Sequence, residues 1–323
     1  MKAYRSILAC IDDVDRDAKM IHYIENIIRM AGTEEVHLMY VSEDLWRPVY
    51  SASSTMAETR LDAGIPPIPD IPLDEQKERV HVLAMNTLGH LSDCRIKTHV
   101  VYGSPLYEIL DYALTRNVDV IAMRQTFGEA SEKGSKALLP RRITRRATCS
   151  TLTIPDNFSF ETPNILVPIR NSECSQNAFI AACNIVEATG GILEALNIYQ
   201  VHSDYMLAGL TLSDHLNNLE SYAKLETQTL LDRTVVGNVE VRTHFMPDFN
   251  ADPVKVVSRR ARENDSNMIV IGARGRTGAA GVLLGTVTEQ LIQTAAVPVL
   301  AVKKKGECIG VLKAMLEVMG FKK

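Results

Sequence analysis

Aromatic residues are scarce in this chain: one tryptophan, seven phenylalanines and ten tyrosines make up 6% of 323 residues. None is interleaved with the strongest basic cluster, Lys133 to Arg146, so that cluster offers no stacking platform for unpaired bases. Net charge is small as well. Thirty-five lysines and arginines against thirty-nine acidic residues leave −4 at neutral pH, and nucleic acid is not an expected partner. No apolar stretch approaches the length needed to cross a bilayer, and residues 1–6 lead into no long apolar segment of the secretory kind. Membrane insertion is therefore not expected. The six cysteines (Cys10, Cys94, Cys149, Cys174, Cys183, Cys308) form no C-x-x-C pair, and the eight histidines are dispersed. Reduced, mostly buried thiols, a cytoplasmic setting and no metal centre are expected. The chain also lacks a G-x-S-x-G elbow, an H-E-x-x-H helix and the Gly-Lys-Ser/Thr ending of a Walker A loop. No nucleophile–base constellation stands out, so at most a weak ATPase is expected.

What is present is a 46% hydrophobic composition, enough for two cores of ordinary size, and a pattern that occurs twice. Ile7-Leu8 opens a short apolar strand in the first half, as Ile165-Leu166 does in the second, each followed by a helix-period segment (16–30 and 175–188). Ser104-Pro105 matches Asp252-Pro253, with proline at a helix's first position, where its missing N–H costs nothing. The offset between halves is 158 at Ile7/Ile165 and 148 at Pro105/Pro253, so the first half carries ten more residues between those points. They are assigned to 42–73, a Ser/Pro-rich stretch that reads as a long surface loop or lid. From Pro105 onward the offset holds, laying 119–123 over 267–271 and 150–154 over 298–302. A short polar stretch with proline at both ends, 155–163, reads as the boundary. Strands alternating with helices require mostly parallel sheets covered on both faces. The expected fold is α/β: two tandem doubly wound, Rossmann-like domains with five-stranded sheets, at 1–155 and 163–304, and a helical extension at 305–323.

The strongest local signal is in the last quarter. An apolar β-branched run (268–271) ends at Gly272; Gly275 follows after two residues and Gly285-Thr286 after nine more; a helix-period segment (286–295) leads to a last strand. Glycines at a strand's carboxyl end let backbone N–H groups approach an anion, and a helix that begins at Gly285-Thr286 adds amides, a dipole and a hydroxyl. This Gly-x2-Gly-x9-Gly-Thr composite resembles the nucleotide-binding motif of the universal stress protein family, small α/β domains of which one branch binds ATP. The resemblance covers nearly the whole chain as a tandem pair and is stronger in the second half.

In that branch adenosine contacts the ends of the first and second strands, and the phosphates lie on the glycine loop. The resemblance thus implies a site of Pro168, Ile169 and Arg170 from the first strand, Ile198 from the second, Gly272, Arg274, Gly275 and Arg276 from the loop, and Gly285, Thr286 and Val287 from the helix start. Arg274 and Arg276 either grip polyphosphate or are solvated loop residues. Arg170 departs from the family's usual aspartate; it can only donate hydrogen bonds, which puts the identity of the nucleotide in question. In the first half Asp12 keeps the aspartate position, but Arg124, Phe127, Ala137 and Leu138 replace Gly272, Gly275, Gly285 and Thr286. That half is expected not to bind ATP in the family's manner, serving as a structural or partner-facing half or as a pocket for a more apolar ligand.

Two surfaces remain. Lys133, Lys136, Arg141, Arg142, Arg145 and Arg146 read as a solvated helix face or as a dock for an acidic partner. The tail (306–323) carries Ile309, Leu312, Met315, Leu316 and Met319 at helical spacing, read as a helix on the body or as a dimer- or partner-docking helix. The fifth strands resemble those through which family members dimerise, and a tandem chain can make that pairing internally. Three functions follow: a stress-response regulatory protein binding ATP or AMP in its second half; a slow ATPase using Mg²⁺ there, with Thr286 and Thr288 as the nearest oxygen donors; or a scaffold that binds no nucleotide.

Overall fold

The computed structural model describes residues 4–42, 73–126, 139–156, 158, 160–206, 209–234, 239–274 and 284–306. The expectations for the 42–73 loop, for Phe127, Lys133, Lys136, Ala137 and Leu138, for Gly275 and Arg276, for Cys308 and for the tail helix fall essentially outside these residues. The first half runs β1 (Ser6–Ile11), α1 (Val14–Ala31), β2 (Glu35–Ser42), α2 (Leu73–Leu88), β3 (Arg95–Tyr102), α3 (Pro105–Thr115), β4 (Val120–Arg124), α4 (Leu139–Arg146) and β5 (Ser150–Ile154). The second runs β6 (Asn164–Ile169), α5 (Glu173–Thr189), β7 (Ile192–Gln200), a 3₁₀ turn (Ser203–Met206), α6 (Leu212–Asp232), β8 (Val241–Asp248), α7 (Pro253–Glu263), β9 (Met268–Gly272), α8 (Thr286–Thr294) and β10 (Val299–Val302).

Local chemistry explains the helix ends. Asp13 caps α1 by accepting from the amides of Asp15 and Arg16, and Ser172 caps α5 by accepting from Ser175. Both helices stop at a left-handed glycine, Gly32 and Gly190, a conformation a β-carbon would strain. The apolar runs of β1, β4, β6 and β9 are buried because helices cover both faces of the sheet.

The expected pair of five-stranded sheets is joined into one ten-stranded sheet, ordered β3-β2-β1-β4-β5-β10-β9-β6-β7-β8. Every pairing within a half is parallel, and the order outward from the junction is the same on both sides. The junction is antiparallel: Thr153 opposes Val299, Leu152 opposes Leu300 and Thr151 opposes Ala301. Leu152 and Leu300 are 148 residues apart, so each lies opposite its own counterpart and the register is symmetric about them. Each half covers the edge the other would expose. The 155–163 boundary is less polar in space than in sequence, because Phe158 and Phe160 stand edge-on to Tyr23 of α1, centroids 5.9 and 5.3 Å away.

The halves fill one buried polar position differently. Glu194, beside Leu166 in the sheet, takes a two-pronged ion pair from Arg260 of α7, 2.6 Å for each contact. His37, beside Leu8, instead meets the Tyr112 hydroxyl of α3 at 2.8 Å through Nδ1, and His99 packs on the same ring. Burial lowers the pKa of His37 below its ordinary 6.5, with Lys97 and Arg116 adding to this and Glu35 opposing it; burial and Arg116 also lower that of His99. Both rings are therefore favoured neutral in the folded chain. Below about pH 6.5 the unfolded chain takes up these protons first, so their contribution is present above that pH and lost as pH falls towards the lowered values. A lower urea midpoint at pH 5.5 than at pH 7.5 is expected, with the difference shrinking in His37→Gln/His99→Gln; an equal difference in that variant contradicts the assignment.

Candidate functional site

The site is built where the second half's strand order reverses. From β6 the chain passes to β7 on one side and reaches β9 on the other, which leaves a crevice beyond the strands' carboxyl ends. A cleft of about 310 Å³ opens there. All nine proposed site residues that are described line it: Pro168, Ile169, Arg170, Ile198, Gly272, Arg274, Gly285, Thr286 and Val287.

Steric and hydrogen-bond constraints hold its walls. Gly272 ends β9 against the start of α5, where a β-carbon would stand 2.7 Å from the Cys174 carbonyl oxygen, so no larger residue fits without displacing that helix. Thr288 donates its buried hydroxyl to the Gly272 carbonyl at 2.9 Å, tying α8 to the strand end. Gly285 spends its own amide on the Ala273 carbonyl, also at 2.9 Å, so the anion cradle expected from it narrows to the residues after it. The first intrahelical bond of α8 is donated by Glu289 to Gly285. The amides of Thr286, Val287 and Thr288 precede that bond, no side chain caps the helix, and all three residues face the cleft. Such an end attracts an anion through its N–H groups and its dipole.

The opposite end is shaped by Arg170. Its guanidinium donates to the Ile198 carbonyl at 3.3 Å, and its amide donates to the Ser175 hydroxyl at 3.1 Å. Ser172 and Ser175, which also line the cleft, went unnoticed in the sequence; a Ser-x-x-Ser step opening the helix after the first strand was the available signal. Among the described residues no lining residue is Asp or Glu, and the sequence 275–283 contains neither. A second concavity, about 70 Å³ between α1 and α5, is almost wholly apolar and reads as a seam between the halves.

The equivalent position in the first half is filled from within. Arg124, at the end of β4, is 1% exposed. Its Nε donates to Asp17 at 2.7 Å, one terminal nitrogen to Thr126 at 2.7 Å and Asp156 at 3.3 Å, and the other to Asp12 at 3.5 Å. Arg124 therefore does more than obstruct: it places a permanent cation among three carboxylates where the second half leaves room for a ligand. Burial pushes the fully enclosed Asp17 carboxyl up, opposed by the Asp13 and Asp12 amides and by Arg124.

Two arginines of the basic helix meet the other half of the chain, while Arg142 is exposed to solvent. Arg141 pairs with Glu289 of α8, and Arg145 contacts the same carboxylate at 3.0 Å. Among the described residues no group of three or more His, Cys, Asp or Glu is placed to hold a metal ion, and no helix is long and apolar enough to cross a membrane.

Residues 161–303, which contain this cleft, match the model of the universal stress protein family. That stretch of the chain is a domain of this family. A universal stress protein of Mycobacterium tuberculosis is 23% identical over 231 residues, covering 69% of this chain and 74% of that protein. One from Methanocaldococcus jannaschii is 27% identical over 144 residues, 43% of this chain and 81% of that protein. The crystal structure of a universal stress protein from Archaeoglobus fulgidus shares the fold, with a TM-score of 0.55 at 19% identity, covering 93% of this chain and 98% of the other.

Proposed function

We propose that this protein is a tandem universal stress protein, a regulatory protein that binds ATP or AMP in the cleft of its second half, with a first half that takes no nucleotide. The proposed division is a non-binding domain at 1–155, a nucleotide-binding domain at 163–304 and an extension at 305–323, acting in the cytoplasm in response to stress. The observation that carries this reading is the convergence of the uncapped start of α8, Gly272 and Arg274 on one cleft at the sheet's switch point. Thr286, Val287 and Thr288 offer amides to phosphate, Arg274 adds a cation, and Ile198 with Pro168 and Ile169 offers an apolar edge for the base. Mg²⁺ would enter on the phosphates. With no carboxylate among the described lining residues, none of them is placed to take a proton from water, which favours binding over hydrolysis.

One observation favours a second reading, a scaffold that binds no nucleotide: the Arg170 guanidinium occupies the Ile198 carbonyl at the base end. Equilibrium dialysis of the purified chain against ATP and against AMP, each with Mg²⁺, separates the two. Near one equivalent retained supports the nucleotide reading, and none retained favours the scaffold. Phosphate release at a rate saturating with ATP, lost with Thr286→Asp, would move the assignment to an ATPase.

A further inference from the structure

We infer that Arg141 and Arg145, which belong to the first half, are positioning residues for the nucleotide site of the second half; this rests on the nucleotide reading. Residues 286–288 line the cleft, and Glu289 is the next residue of α8. Its carboxylate is only 14% exposed and belongs to the first turn of α8, the turn whose amides would meet phosphate. A partly buried anion there repels an incoming phosphate with little screening from solvent. Arg141 and Arg145 both pair with that carboxylate, so its charge is offset by groups from across the junction.

The same half grips α8 at its other end, where Gln125 donates to the Ala295 carbonyl at 3.1 Å. The grip is itself braced from the second half: Lys303 reaches back to the Arg145 and Ala147 carbonyls that close α4, at 3.2 and 2.9 Å. The helix that would bear the phosphates is thus held at both ends by the half that lacks the glycine loop.

The charges are matched to this arrangement. Position 141 of the first half corresponds to 289 of the second, at the offset of 148 seen at the junction. The first half has arginine there and the second glutamate, and they meet across the symmetric register. Either half paired with a copy of itself would set like charges together, so the contact specifies the first half as the neighbour of the second. Nucleotide affinity is therefore a property of both halves, and anything that opens the α4–α8 contact lowers it.

The test is calorimetric titration of Mg²⁺-ATP into the full chain, into Arg141→Ala/Arg145→Ala, and into that variant with Glu289→Gln added, at low and moderate salt. The double variant is expected to bind about tenfold more weakly, with the loss larger at low salt. Adding Glu289→Gln is expected to restore affinity to within about twofold, because the uncompensated charge is gone. Unchanged affinity in the double variant overturns the proposal. So does a triple variant that regains thermal stability but not affinity, since the uncompensated Glu289 charge would then not be what weakens binding. Absence of binding to the wild-type chain removes the nucleotide reading and this proposal with it.

Discussion

Arg124→Met is expected to destabilise the protein by about 3–5 kcal/mol, a large share of the stability of an ordinary domain. The guanidinium is the shared partner of Asp12, Asp17 and Asp156, and Asp17 is fully enclosed. Without it a buried carboxylate keeps only the Asp12 and Asp13 amides, at 2.7 and 3.0 Å, and faces two further acids. Urea denaturation followed by circular dichroism measures the loss. Adding Asp17→Asn is expected to recover most of it, because a neutral amide can still accept from those amides and no longer requires a counter-charge. A single variant as stable as the wild type would mean the cluster contributes nothing net. The same geometry states what Arg124→Gly will not do. Removing the side chain leaves three carboxylates around the space, so no second equivalent of nucleotide is expected to bind.

Thr286→Asp is expected to weaken nucleotide binding by about a hundredfold or more while leaving the fold intact. A hundredfold corresponds to roughly 2.7 kcal/mol, less than the repulsion of about 4 kcal/mol between two unit charges 4 Å apart near a protein surface. Aspartate is a favoured residue in the first turn of a helix, where it complements the dipole, so α8 is not weakened. This separates site from scaffold better than a glycine replacement does: at Gly272 a β-carbon would also displace the start of α5. Thermal denaturation checks the fold, and titration with Mg²⁺-ATP checks the site. Unchanged affinity would place the phosphates elsewhere.

The fold was readable because its signals are local and repeated. Alternating strand and helix periods, Pro105 and Pro253 148 residues apart, and capping residues such as Asp13 and Ser172 each act within a few residues of themselves. The grouping of Gly272, Gly285 and Thr286 on one cleft was readable for the same reason, since they lie within fifteen residues of one another between a strand and the helix after it. Charges that meet only after folding were not. Arg124 read as an obstruction, since arginine is seldom fully buried, and the partner that buries it, Asp17, is 107 residues away. Arg141 and Arg145 read as a solvated face from their i,i+4 spacing, which carries no information about Glu289 more than 140 residues on. The narrowing of the phosphate cradle at Gly285 depends on a backbone bond to Ala273 that composition does not encode.

The central claim is that one half of this chain binds nucleotide and the other does not. Calorimetric titration of the full chain with Mg²⁺-ATP, run on protein first denatured in a parallel sample to count nucleotide carried through purification, tests it most directly. Bound and carried-through nucleotide summing to one equivalent per chain is the result the asymmetric pair of sites requires. Two equivalents, or none by either route, would contradict it.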